Sequence, residues 1–114
     1  MKVLLVEDEP ELRDIFKKML SDYEVTAISD GKKAVELYGE IKPEIVLMDI
    51  VLEVGSGIEV AKEILKIDSN AKIIAVTAYA RGNRKKILEA GILEILEKPF
   101  LRKELIDMIE RFRK

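Results

Sequence analysis

Four apolar residues, Ile45-Val46-Leu47-Met48, run without interruption into Asp49. A strand with one wet face alternates apolar and polar side chains, so an unbroken run of this length that stops at a carboxylate reads as a central parallel strand covered on both faces. Similar runs stand on either side of it. Val3 to Val6 ends at Glu7-Asp8, Val25 to Ile28 is a weaker second strand, Lys72 to Thr77 a fourth with Ile73 to Val76 as its core, and Ile92 to Leu96 a fifth that leads into Lys98-Pro99. Helical patterns separate them, which is the βαβα alternation of a parallel sheet.

Each intervening helix carries its own start and stop signals. Pro10 follows Glu9 and precedes Leu12, Ile15, Phe16, Met19 and Leu20 at helical spacing. Asp30 is placed to cap a second helix with Ala34, Leu37, Tyr38 and Ile41 facing inward and Pro43 behind it. Ser56 and Glu59 have the spacing of a capping box and open a third helix through about Lys66, with Ala61, Ile64 and Leu65 turned in. Arg84 to Ala90 is a short fourth helix ended by Gly91. The last runs from Leu101 to Phe112, with Leu105, Ile109 and Phe112 on one face. The expected count is five strands and five helices.

Composition narrows what such a sheet can do. The chain has 114 residues, room for one domain over 1–114 and none for an effector domain. Apolar residues make up 48% and charged residues 37%, as in a compact fold. The net charge of −2 is too balanced for a surface that binds nucleic-acid phosphates by charge. There is no Cys and no His, which excludes disulfides, thiolate sites and every imidazole-based catalytic step on this chain. No apolar run could span a bilayer and no signal peptide precedes the first strand, so the expected setting is cytoplasmic with no membrane contact.

In an open doubly wound sheet, ligands sit outside the carboxyl ends of the strands, at the point where the strand order reverses. If the order is 2-1-3-4-5, strands one and three flank that point and their ends converge with those of strands four and five. Glu7, Asp8, Asp49, Thr77 and Lys98 then share one crevice. Taken singly, Asp49 reads as a turn former, Thr77 as a cap and Lys98 as a solvated lysine. Taken together, three carboxylates, a hydroxyl and an ammonium make a hard-oxygen cation site beside a positive charge, suited to Mg²⁺ and a phosphoryl group.

The segments Val3-Leu4-Leu5-Val6-Glu7-Asp8-Glu9-Pro10, Leu47-Met48-Asp49 with Gly55-Ser56-Gly57, Val76-Thr77-Ala78 and Lys98-Pro99-Phe100 resemble, in order and spacing, the receiver domains of two-component response regulators. The resemblance covers the whole chain. It implies an α/β flavodoxin-like doubly wound (βα)5 fold with a five-stranded parallel sheet in order 2-1-3-4-5. Asp49 would be the phosphoacceptor, taking a phosphoryl group from a phosphohistidine on a partner, and the protein a signalling domain, not an enzyme. Glu7 and Asp8, with Asp49 and the backbone carbonyl of Val51, would hold Mg²⁺. Lys98 would pair with the phosphoryl oxygens and Thr77 would hydrogen-bond one of them. The family also implies a cis Lys98-Pro99 bond. The implied partners are a sensor histidine kinase, a histidine phosphotransfer protein and a downstream protein target, with no nucleic acid, the chain being a monomer or weak dimer.

Two positions depart from the commonest pattern of that family. Glu53 stands where Pro usually follows the phosphoacceptor, and Ile95 stands where an aromatic ring usually follows the movement of the Thr. Val51 and Tyr79, two residues beyond Asp49 and Thr77, cannot readily steer a water, which implies slow self-dephosphorylation. Arg81, Arg84, Lys85 and Lys86 near the start of the fourth helix read either as a solvated basic face or as a surface for an acidic partner. Arg111, Arg113 and Lys114 are favourable cations in a last helical turn.

Rivals from other classes lack their residues. A phosphatase with an Asp nucleophile needs a second acid two residues on, and position 51 is Val. Neither a dinucleotide-binding glycine pattern after a strand nor a P-loop is present. The surviving alternative is a pseudo-receiver, an interaction module on this fold that works without phosphorylation.

Overall fold

The computed structural model describes residues 1–52 and 55–113. Glu53 and Lys114, both singled out above, lie outside the described residues. The order is β1 (Lys2–Val6), α1 (Pro10–Met19), β2 (Glu24–Ile28), α2 (Gly31–Ile41), β3 (Ile45–Met48), α3 (Gly57–Ile67), β4 (Ile73–Thr77), α4 (Arg84–Glu89), β5 (Glu94–Glu97) and α5 (Arg102–Phe112). All strand pairs are parallel and the order is β2-β1-β3-β4-β5, as the sequence implies.

The period-two alternation of strands divides the core into two layers. Leu4, Val6, Val46, Met48, Ile73 and Ala75 point to one face, where Ala34 and Tyr38 of α2, Val60, Ala61 and Ile64 of α3, and Ile87 of α4 cover them. Val3, Leu5, Ile45, Leu47, Ile74 and Val76 point to the other, beneath Phe16 of α1 and Leu105 and Ile109 of α5. Every residue of β3 and β4 is buried, which is why their sequences show no polar alternation.

Caps fix where the helices start. The Asp30 carboxylate accepts from the Lys32 N–H at 2.8 Å and the Ser56 hydroxyl from the Ile58 N–H at 3.2 Å. Glu59, the expected partner in a capping box, pairs with Lys62 at 3.6 Å. Past α4, Gly91 takes φ +98°, the left-handed conformation that closes a helix without a Cβ penalty.

Three sequence expectations shift. Strand five begins at Glu94, not Ile92: Ile92 is buried under α4, and Leu93 donates a single backbone bond to Ile73 before regular pairing starts. The fifth helix begins at Arg102, with Leu101 outside it and its N–H held by the Glu104 carboxylate at 2.8 Å. Ile15 is 46% exposed, on the rim of the α1 stripe, while Phe16 and Leu20 are buried.

Candidate functional site

Register brings the site together before any side chain is considered. Val6 pairs with Met48, so Glu7 and Asp49 are the next residues on adjacent parallel strands. Thr77 pairs with Glu97, which leaves Lys98 one step beyond. Glu7, Asp8 and Asp49 each place one carboxylate oxygen within 4.8 Å of the others. Glu7, Asp49 and Thr77 are also the buried polar residues of the described chain, a placement that a stability argument alone does not favour.

Lys98 spans the carboxylates. Its ammonium lies 2.7 Å from Glu7 Oε1 and 3.3 Å from Asp49 Oδ2. The ammonium also lies over the ring of Phe16, 5.8 Å from its centroid, and that ring stacks on Phe100 at 5.2 Å. Burial pulls the Lys98 ammonium down, but the Glu7 hydrogen bond and the charges of Asp49 and Glu7 outweigh it and leave it above the ordinary lysine range. The Lys98-Pro99 bond is cis, as the family resemblance implies.

Asp49 is held at both oxygens. Oδ1 accepts from the Val51 N–H at 3.1 Å and Oδ2 faces Lys98. Burial, with the neighbouring Glu7 charge, pushes its carboxyl up from 3.8 to about 6, against the pull of Lys98 and the Val51 hydrogen bond. The Lys98 ammonium reaches two of the three carboxylates, Glu7 and Asp49. An oxygen-rich cluster of three carboxylates, half-buried at Asp8, is the donor set that suits a small hard dication, and the residues present fit Mg²⁺.

The fourth and fifth strands contribute the rest. The Thr77 hydroxyl oxygen accepts from the Tyr79 N–H at 3.0 Å, which orients the side chain at the end of β4. Tyr79 is 60% exposed and Val51 49% exposed, so both flank the mouth of the crevice. Ile95, by contrast, is buried with Ile87 and Ile92 in the layer beneath α4 and is no surface gate. Of the cations near α4, Arg84 reaches Glu94 at 3.7 Å and Lys85 reaches Glu89 at 3.9 Å.

Two contributors escape a reading of motifs. Arg13, one turn into α1, donates to the Glu7 backbone carbonyl at 3.0 Å and so ties α1 to the end of β1. Phe16 reads in sequence as one more residue of an amphipathic stripe, yet its ring also faces the Lys98 ammonium. A cation five residues beyond Asp8, with an aromatic three residues further on, is the only hint the sequence offers of either.

Fold and site together define a class: a flavodoxin-like sheet whose polar groups gather at the reversal of strand order, with an acidic cation site and one lysine at its centre. More particularly, the chain belongs to the response regulator receiver domain family, whose family model matches residues 3–110. It is 37% identical to the chemotaxis protein CheY of Thermotoga maritima, over 99% of this chain and 98% of that protein. The receiver domain of sensor histidine kinase PA1611 from Pseudomonas aeruginosa superposes with a TM-score of 0.91 at 36% identity, covering 98% and 96% of the two chains, and holds a magnesium ion in its active site cleft. The response regulator TrrA of Thermotoga maritima, in complex with Mg²⁺ and BeF, superposes at 0.89 with 32% identity, covering 97% of each chain. The protein is a receiver domain of a two-component system, similar to CheY, and no described helix is long and apolar enough to cross a membrane.

Proposed function

We propose that Asp49 accepts a phosphoryl group from a phosphohistidine on a sensor kinase or phosphotransfer protein, and that its phosphorylation switches a protein-binding surface. The observation that carries this reading is the buried Asp49 carboxylate, set at a strand end between Lys98 and the Glu7-Asp8 pair. An Asp49 oxygen forms the bond to phosphorus as the P–N bond to the donor imidazole breaks, and the electron pair of that bond leaves with the imidazole. The donor imidazole must lie outside this chain, which has no His.

Phosphoryl transfer of this kind is promoted by positioning and charge neutralisation more than by covalent chemistry. Glu7, Asp8 and Asp49, with the Val51 carbonyl, would hold Mg²⁺, which when bound neutralises charge on the phosphoryl oxygens and favours the ionised form of Asp49. Lys98 leaves Glu7 and Asp49 to pair with those oxygens. The Thr77 hydroxyl, its oxygen already engaged by the Tyr79 N–H, keeps its own proton free to donate to the phosphoryl group. The exposed side chains at 51 and 79 carry no group that activates water, so the acyl phosphate is long-lived.

Incubation with Mg²⁺ and acetyl phosphate, read by intact mass, tests the assignment. One phosphoryl group is expected on the wild type and none on Asp49→Ala. A folded wild type that gains none and binds no Mg²⁺ is a pseudo-receiver.

A further inference from the structure

Gly57 is absent from the cluster of charged side chains, yet it lies closest to the backbone that carries one of them. As the first residue of α3 it is buried, and its N–H donates to the Ile50 carbonyl at 2.9 Å. Beside it Ser56 bridges Val51 in antiparallel fashion. The chain leaves β3 at Asp49, and residues 56–57 lie along 50–51.

The seam has no room for a side chain. A Cβ at 57 would overlap the Asp49 carbonyl oxygen, and would stand 2.8 Å from Ile50 Cα and 2.9 Å from the Asp49 carbonyl carbon. These are backbone atoms, which cannot rotate out of the way. Gly57 has no positive φ to account for it, so its reason is space and not conformation. Gly31 offers a matched comparison. It too is buried at the start of a helix, but a Cβ there would meet the tips of side chains, Val60 Cγ2 at 2.7 Å and Leu52 Cδ1 at 3.1 Å.

We infer that Gly57 is a positioning residue for the cation site: its missing side chain lets α3 press the Asp49–Val51 backbone into the place where Asp49 Oδ1 and the Val51 N–H meet and where Asp49 lies within reach of Glu7 and Asp8. The inference rests on the Mg²⁺ reading of the cluster. Side-chain tips beside Gly31 yield by rotation, whereas the overlap beside Gly57 is relieved only by moving backbone, either that of Asp49 beside Glu7 or that of the α3 start which braces it. Displacement of even part of an ångström matters to an ion that demands near-octahedral oxygens at about 2.1 Å.

The test is calorimetric titration of MgCl2 into wild type, Gly57→Ala and Gly31→Ala, with the melting temperature of each measured in EDTA. Gly57→Ala is expected to weaken Mg²⁺ binding tenfold or more, while Gly31→Ala stays within twofold of wild type whatever either variant loses in melting temperature. Binding by Gly57→Ala within twofold of wild type overturns the inference, as does equal weakening by the two variants. Amide hydrogen exchange on the wild type gives an arm that does not depend on the variant folding. The Gly57 and Val51 amides are expected to be protected and to slow further with Mg²⁺; free exchange at Gly57, unchanged by Mg²⁺, overturns the inference. A wild type that binds no Mg²⁺ overturns instead the reading of the cluster on which the inference rests.

Discussion

Replacing Asp49 with Asn should make the metal-free protein more stable, and the gain should depend on pH. The Asp49 carboxyl sits at about 6 in the fold against 3.8 for the ordinary group. At about 1.4 kcal/mol for each tenfold step, holding that charge in the cation-free fold at neutral pH opposes folding by about 3 kcal/mol. Asn keeps the shape of the side chain and removes the charge. With an unfolding entropy of about 2.1 cal/mol/K for each of the 114 residues, the melting temperature should rise by about 12 °C. The sign follows from linkage. Between pH 4 and 6 the native state binds more protons at Asp49 than the unfolded chain does, so this contribution to stability falls as pH rises through that window and is restored below it. Thermal melts of wild type and Asp49→Asn in EDTA, from pH 4 to pH 8, should show a gap that is near zero at pH 4 and fully open by about pH 7. Mg²⁺ at a hundred times its dissociation constant should raise the wild type by about 2.7 kcal/mol and close most of the gap. A gap of the same size at every pH, or an Asn variant less stable than wild type at pH 7.5, would refute the electrostatic argument.

Lys98→Met leaves Glu7 and Asp49 facing one another without the ammonium that lies 2.7 and 3.3 Å from them. Breaking a buried pair from one side costs about 3–5 kcal/mol, so urea denaturation should show a loss of that order that Mg²⁺ partly restores. Tyr38→Phe removes the 2.7 Å hydrogen bond from the buried Tyr38 hydroxyl to Asp68, which joins α2 to the end of α3; a loss of about 1–2 kcal/mol by the same method is expected. Ile87 is the buried residue of α4. Ile87→Ala should therefore speed amide exchange in α4 well before it affects β3 or β4, and equal effects on all three would count against α4 as a separate opening unit.

The sheet was legible because burial on both faces writes itself into sequence as runs such as Ile45-Val46-Leu47-Met48, and the ends of the first, third, fourth and fifth runs led to members of the crevice. What resisted reading depends on approach across long separations. Lys98 meets Glu7 across 91 positions, and sequence placed both in one crevice without showing that they pair with each other. Ile92 and Leu93 are as apolar as a strand, but burial under a helix and pairing in a ladder draw on the same residue types, so the start of β5 fell two residues late. Ile15 has the spacing of a buried residue, yet the inward stripe of α1 is narrower than its apolar face. Gly57 looked like part of a loop signature because the overlap that explains it arises only once the chain has turned back on Asp49.

The separation of the aliphatic layers from the crevice bears on how a sequence of this kind changes over generations. Both layers are built of apolar side chains, though Phe16 of the second also lies 5.8 Å from the Lys98 ammonium. Loss of Asp49 would raise the stability of the metal-free fold, so selection for foldedness alone does not hold that carboxylate in place. Loss of Glu7 would instead strip Lys98 of its 2.7 Å partner and cost stability, so the carboxylates are not equally dispensable to a lineage that needs only a scaffold. In this chain Asp49 stands one step beyond the Val6–Met48 pair beside Glu7, with Lys98 across both, so the carboxylate that the bare fold would gain by losing is the one the proposed phosphoryl transfer requires.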